Sequence, residues 1–377
     1  MKRLNRQTGA RDSNIELLRI VAMVMIVAHH FMVHGDFSYE AGDMSVNRLW
    51  TYFLMMGGKI GVNLFVLISG YYMVKSPGGK TGKVVRIWLQ LITYSLLLYA
   101  AAMGIGMISF HRNTLTAHLL PVTTFRWWFA TTYCILYLLS PFLNRMMQSL
   151  DRRGFQKLLL LATVLWSVIP SVVNLTYFMG SDMDRNNLVW FVYLYFLGAY
   201  IRLYPTERAR SVVWYFTGAA VSGILIFLSM LWLNNMAKGN PYYASHAGIL
   251  SSFWSLPALL MSVYLFAGFL QIRIGSSRWI NAIASATFGV YLIHDDGYMR
   301  EFLWKTLFKN AQYTHSSLLI PYSIAVIVCV YVVCTAIELA RIHLLEKRCL
   351  PAVDKVSRKI DGLIEKILDF QPLDRLL

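Results

Sequence analysis

The sequence predicts an all-α, polytopic integral membrane protein with about ten transmembrane helices. Of its 377 residues, 57% are hydrophobic and only 14% are charged. Apolar runs of about 20 residues, the length that crosses a hydrocarbon core of ~30 Å, occur along most of the chain. The net charge of +16 lies in short segments between these runs. This distribution follows the positive-inside rule and indicates contact with anionic lipid head groups. Binding of nucleic acid is therefore not needed to explain the positive charge.

The predicted spans follow one another with short connections. The fifth, sixth and ninth are shorter than the others. The spans are residues 15–33, 49–73, 84–110, 127–144, 157–173, 187–203, 211–233, 249–270, 279–294 and 318–342.

The connections alternate between basic and non-basic, which predicts their sides of the membrane. Residues 1–11, 75–83 and 145–157 are rich in Lys and Arg, whereas residues 34–48 and 178–186 carry acids. By the positive-inside rule, both termini are cytoplasmic. We predict a transmembrane domain over residues 1–345. Residues 346–377 form an amphipathic tail whose helix lies on the cytoplasmic membrane surface.

Arg19 and His30 lie eleven residues apart on the first predicted span. Eleven steps of about 100° bring both to one helix face, about 16 Å apart along the axis. Ionisable groups inside a membrane are costly and by default mark a functional site. Each residue also has an ordinary interpretation, Arg19 as a cytoplasmic anchor and His30 as a histidine bonded to a backbone carbonyl. Glu16, one turn before Arg19, could pair with it.

Further motifs accompany this pair. Residues 61–71 read Gly-Val-Asn-Leu-Phe-Val-Leu-Ile-Ser-Gly-Tyr, residues 127–129 read Trp-Trp-Phe, and residues 196–200 and 288–294 carry Gly-aromatic patterns. With Arg19, ten intervening residues and His30, these motifs resemble membrane acyltransferase family 3, through about residue 340. Glu16 fits the acid that commonly precedes the Arg in that family. Asn63 departs from the acid often found at its position, so we assign it no acid–base role.

The resemblance implies transfer of an acyl group, usually acetyl, from cytoplasmic acyl-CoA to a sugar hydroxyl of an extracytoplasmic or lipid-linked glycan. The implied catalytic residues are His30, Arg19 and Glu16, with His30 acting either as the base or as a transient acyl carrier. Arg19, Lys83 and Arg86 are candidates for binding the CoA phosphates. Lys83 and Arg86 could equally be ordinary positive-inside charges. Acyl-CoA is expected as the donor substrate, without a resident cofactor.

The predicted acceptor-binding residues are Trp127, Trp128, His294 and Ser69. The family motif favours Trp127 of the two tryptophans for stacking on a sugar or the pantetheine arm, although an aromatic belt would also place them at the interface. His294 precedes two aspartates and could bind the acceptor or orient a base; one His and two acids fall short of a metal site, so we predict no metal. Ser69 lacks the context of a nucleophile elbow, and its glycine-rich surroundings favour close helix packing.

A transporter or flippase for a glycan or lipid-linked sugar is the alternative. The absence of an internal repeat and the few acids within the predicted spans disfavour it. A membrane scaffold would have no need for Arg19 and His30 on one face. The expected partners are acyl-CoA, the glycan acceptor and membrane lipids, with a homo-oligomer left open. The expected location is a bacterial plasma or inner membrane.

Overall fold

The computed structural model describes residues 12–76, 81–177, 187–205, 210–240 and 242–369. Helix is the only regular secondary structure among them. The helices are α1 (Ser13–Val33), α2 (Val46–Met73), α3 (Gly82–Gly104), α4 (Arg112–Leu119), α5 (Trp128–Ser149), α6 (Arg152–Thr163), α7 (Ile169–Tyr177), α8 (Asn187–Leu203), α9 (Val212–Met236), α10 (Tyr242–Ser245), α11 (Leu256–Gln271), α12 (Arg278–Ser285), α13 (Thr287–His294), α14 (Gly297–Arg300), α15 (Leu319–Arg341) and α16 (Lys347–Asp369).

Short non-α turns continue several helices. Val164–Val168 forms a π-helical turn between α6 and α7, Glu301–Leu307 follows α14, and Ile342–Glu346 joins α15 to α16. Ile249–Ser251 and Asn310–Tyr313 are 3₁₀ turns.

The all-α membrane class is confirmed, but the count of about ten spans is not. In the described ranges, seven helical stretches are long and apolar enough to cross a membrane, and α8 is a shorter apolar helix. The seven are Ser13–Val33, Val46–Met73, Gly82–Gly104, Arg152–Leu175, Val212–Met236, Tyr242–Gln271 and Leu319–Glu346.

The predicted ninth span, residues 279–294, is not one helix. Arg278–Ser285 and Thr287–His294 are separate helices of eight residues each, with Ala286 between them. Eight residues rise only about 12 Å, so neither helix crosses a membrane alone. Such broken helices are tolerated at membrane depth where they line a cavity within the protein.

Glycines allow α2 to pack closely against two neighbours. A Cβ on Gly58 would lie 2.3 Å from Cγ of His29 in α1, and one on Gly70 would lie 2.2 Å from the carbonyl oxygen of Tyr195 in α8. A Cβ on Gly198 of α8 would meet the carbonyl oxygen of Leu67 at 2.2 Å. The glycine-rich second span therefore serves helix packing, which holds α1 at short distance from α2.

The tail helix α16 contacts the start of α3. Asp354 Oδ1 lies 3.1 Å from Arg86 Nη2, and Asp361 Oδ1 accepts a hydrogen bond from the backbone N–H of Thr81 at 3.2 Å. The apolar side chains on the opposite side, Val356, Ile360, Leu363 and Ile364, are exposed. The helix is thus amphipathic as expected. Its contact with the membrane surface, and the division of the chain at residue 345, stay predictions.

We expect Gly198→Ala to lower the free energy of unfolding by about 2 kcal/mol or more, because the methyl group would push α8 away from the α2 backbone. The control is Gly104→Ala, where a Cβ would have no heavy atom within 4 Å. Thermal unfolding of both purified variants in detergent measures the difference. Equal midpoints for the two variants would show that α2 and α8 do not depend on this approach.

Candidate active site

A cavity of about 700 Å³ lies beside α1 and reaches from Arg19 to His30. Its volume falls in the range of small-molecule and cofactor sites, about 300–1,000 Å³. Lys83 of α3 and Arg341 of α15 line it together with Arg19, and Lys59 of α2 lines it together with His30. With the N-terminus in the cytoplasm, as the basic segment before α1 predicts, the Arg19 end is cytoplasmic and the His30 end is outward.

The hydrogen bonds around His30 determine which of its ring nitrogens carries the proton. His294 Nδ1 lies 2.6 Å from the carbonyl oxygen of Val290. A carbonyl oxygen can only accept a hydrogen bond, so Nδ1 of His294 carries the proton and donates it. In the neutral ring, Nε2 of His294 then has the lone pair and acts as an acceptor. His30 Nδ1 lies 2.9 Å from His294 Nε2 and therefore donates to it. The lone pair of His30 thus resides on Nε2, in a ring that lines the cavity.

Asp295 supplies a charge beside the same nitrogen of His30. Its Oδ1 lies 3.2 Å from His30 Nδ1 and 3.7 Å from His34 Nε2, and its side chain is buried. Arg300 Nε and Nη2 each approach this oxygen to 2.9 Å. A carboxylate next to Nδ1–H stabilises the imidazolium that forms when Nε2 takes a proton. The guanidinium of Arg300 in turn compensates the buried carboxylate.

His30, His34 and Asp295 also form a group of metal-ligating type. Their ligand atoms all lie within 4.8 Å of one another. The oxygen of Asp295 that would face a cation is already bonded to the guanidinium of Arg300, which repels a second positive charge. We therefore interpret the group as the device that orients His30, and the expectation of a metal-free site stays a prediction.

A second ion pair anchors the segment that follows His294. Arg126 Nη2 pairs with Asp296 Oδ2, and Arg126 Nη1 lies 3.2 Å from His118 Nε2. His118 Nδ1 lies 2.9 Å from the carbonyl oxygen of Ser95 and donates to it. Burial, and then the charge of Arg126, lower the pKa of His118 to about 4. His118 is consequently neutral at pH 7, and its Nε2 accepts from Arg126.

The cations at the Arg19 end of the cavity differ in the number of carboxylates that pair with them. Arg341 donates two hydrogen bonds to Glu338, at 2.8 and 2.9 Å, and also pairs with Glu346. Arg19 Nη1 lies 3.6 Å from Glu16 Oε1. Lys83 Nζ lies 3.4 Å from the hydroxyl of Tyr133, and no carboxylate within the described ranges pairs with it. Lys83 is thus the one of these three cations without a carboxylate partner in the described part of the chain.

Five of the predicted site residues line the cavity: Arg19, His30, Ser69, Lys83 and Trp128. The hydroxyl of Ser69 donates to the carbonyl oxygen of Phe65 at 2.8 Å. The hydroxyl proton is thus bonded to the helix backbone, and the role of Ser69 stays a prediction.

The other predicted site residues lie away from the cavity wall. Trp127 is 1% exposed and packs beneath Arg126, 5.4 Å from ring centroid to guanidinium carbon, so Trp128 and not the favoured Trp127 faces the cavity. Arg86 is held by its ion pair outside the cavity. His294 is fully buried behind His30, a position that suits orientation of His30 and not contact with an acceptor. Glu16 is buried and reaches the site only through Arg19.

Sequence reasoning did not select several residues that line the cavity or contact it. Lys59 lies within the predicted second span, and Glu338 and Arg341 lie within the last one. The rule that selected Arg19, an ionisable residue inside an apolar run, applies equally to all three. Arg300 lies outside the predicted spans, so this rule does not select it. Its ion pair with Asp295 becomes apparent only in the structure.

The fold and the cavity together define a membrane protein whose internal cavity is lined by basic side chains, Arg19 and Lys83, and by the ring of His30. A family model described as an acyltransferase domain matches residues 12–339, and the chain therefore belongs to acyltransferase family 3. It is an integral membrane acyltransferase. No curated protein and no solved structure matches the chain significantly.

We expect ¹⁵N NMR spectra of histidine-labelled protein to show His30 as the Nδ1–H tautomer, because both of its acceptors lie at Nδ1. The double variant His294→Leu, Asp295→Asn weakens this preference and should shift the ring toward Nε2–H, the tautomer that predominates in water. His29, whose Nδ1 lies 2.6 Å from the carbonyl oxygen of Met55, serves as internal control and should not change. An unprotonated Nδ1 on His30 in the unaltered protein would contradict the proposed orientation.

Proposed function

We propose that this acyltransferase moves an acyl group, in the first instance acetyl, from cytoplasmic acyl-CoA to a hydroxyl of an extracytoplasmic or lipid-linked glycan. The observation that carries the proposal is the single cavity that joins Arg19 and Lys83 to His30. One end suits the phosphates of the donor, and the other suits deprotonation of a hydroxyl. The family membership supports acyl transfer in general.

The donor enters from the cytoplasmic end in this proposal. The phosphates of CoA bind Arg19 and Lys83, whose charges carboxylates compensate least. The rise of α1 from Arg19 to His30, about 16 Å, gives the pantetheine arm its path along the cavity. Ser69, Tyr133 and Gln90 line this stretch and offer polar contacts to its amide groups.

The reaction itself takes place at His30. Nε2 removes the proton from the acceptor hydroxyl, and the hydroxyl oxygen attacks the carbonyl carbon of the thioester. The carbon–sulfur bond then breaks, and the leaving thiolate takes the proton from the imidazolium. Asp295 stabilises the imidazolium in between. Transient acylation of Nε2, the second role that the sequence leaves open, needs the same lone pair and the same tautomer.

We expect His30→Ala to reduce acetyl transfer at least about 100-fold, because general-base catalysis contributes 10²–10⁴-fold. Purified protein in lipid nanodiscs is incubated with radiolabelled acetyl-CoA and an extract of cell-surface glycans, and labelled glycan is counted. His315→Ala, at an exposed histidine of the segment before α15, is the matched control and should keep full activity. Unchanged transfer by a well-inserted His30→Ala variant would exclude His30 as base and as carrier. A transporter would yield no labelled glycan at all.

Lys83 and Arg86 allow a matched test of the donor site, since they are three residues apart on α3 and only Lys83 lines the cavity. We expect Lys83→Gln to raise the KM for acetyl-CoA about 10-fold or more, the loss of one charge-assisted hydrogen bond to phosphate. Arg86→Gln should change KM little, because Asp354 holds its guanidinium. Steady-state kinetics over a range of acetyl-CoA concentrations measure both. The reverse order of effects would place the phosphates near α16.

A further inference from the structure

A second cavity, of about 350 Å³, lies on the outer side of the first. Asn187, Ser252 and Phe253 line it, and Lys59 and Trp128 line both cavities. Asn187 begins α8 and Ser252 precedes α11, so this space opens toward the non-cytoplasmic connections. Lys59 and Trp128 therefore stand between the chamber that holds His30 and the outer side of the protein.

Lys59 lies at the level of the histidines. The preceding residue, Gly58, packs against the ring of His29, which is adjacent to His30 in α1. A lysine in the interior of an apolar membrane helix is costly, and such residues face a cavity or a substrate path and mark function. Lys59 lines both cavities, so its ammonium group lies beside the space that a ligand in the outer cavity would occupy.

The groups beside Lys59 are suited to a carbohydrate. The rings of Trp128 and Phe253 are nearly parallel, 20° apart with centroids separated by 6.4 Å, and Lys59 Nζ lies 5.6 Å from the centroid of Phe253. Aromatic faces pack against the apolar face of a sugar ring, while the amide of Asn187 and the hydroxyl of Ser252 can pair with sugar hydroxyls. A lysine ammonium pairs with carboxylate or phosphate.

We propose that the outer cavity is the acceptor subsite and that it selects a negatively charged sugar, whose acidic group pairs with Lys59 while a hydroxyl reaches Nε2 of His30. This inference rests on the proposed acyl transfer and adds the charge class of the acceptor. A uronic acid and a phosphorylated sugar offer the same chemistry, and the probes below distinguish them.

The test compares three probes of one ring type with the full-length protein in nanodiscs: methyl glucoside, methyl glucuronide and glucose 1-phosphate. Binding of each probe is measured without donor by microscale thermophoresis, and acetylation is measured with labelled acetyl-CoA. We expect at least one anionic probe to bind about 10-fold or more tightly than the neutral one, with the same order in kcat/KM. Lys59→Gln should remove this preference, and Lys59→Arg should retain it.

Equal binding of the three probes, no binding of any, or a preference that survives Lys59→Gln would overturn the acidic-acceptor proposal. A Lys59→Gln variant that loses the same factor in kcat for every acceptor, water included, would assign Lys59 to the charge on the reacting carbonyl and would also overturn it. Binding of an anionic probe through Lys59 without any release of CoA would instead count against acyl transfer, so the two proposals fail separately.

Discussion

The hydrogen bond between His30 Nδ1 and His294 Nε2 is the interaction on which the site depends. A neutral imidazole can present either nitrogen, and only one choice leaves a lone pair toward the cavity. The choice is made outside His30, by the carbonyl oxygen of Val290 that fixes the proton of His294. Because that carbonyl belongs to α13, the position of one short helix determines the chemistry of a residue in α1.

The break between α12 and α13 has a function in this arrangement. A continuous ninth span would carry its side chains through the membrane at a fixed helical rotation. The interruption at Ala286 instead places Ser285 and Thr287 on the cavity wall and lets α13 end at His294, against His30. Asp295 and Asp296 follow directly, and each is bonded to an arginine, Arg300 and Arg126 respectively. These pairs hold the end of α13 where the hydrogen bond to His30 requires it.

The sequence predicted those features that depend on local periodicity. The alignment of Arg19 and His30 on one face and the packing role of the second-span glycines follow from helix geometry. Contacts between distant segments could not be predicted from the sequence. His30 and His294 are 264 positions apart, and Arg86 pairs with Asp354, 268 positions away.

The choice between Trp127 and Trp128 failed for a local reason of conformation. Trp127 has the extended backbone of a helix cap, whereas Trp128 is the first helical residue, so the two rings point in different directions. The sequence motif contains both tryptophans. Which of them lines the cavity depends on the residue at which the helix begins.

The separation of charges along the cavity makes a polyanionic donor compatible with a neutral histidine base. Phosphates close to His30 would hold a proton on the ring, because the attraction between charges is strong where water is excluded. That proton would occupy Nε2 and remove the lone pair that transfer requires. In the proposed function, phosphates bound at Arg19 would lie about 16 Å from His30 along α1. The one carboxylate that does lie beside His30, Asp295, is compensated by Arg300 and faces Nδ1, so it steadies the imidazolium during transfer without occupying Nε2 beforehand.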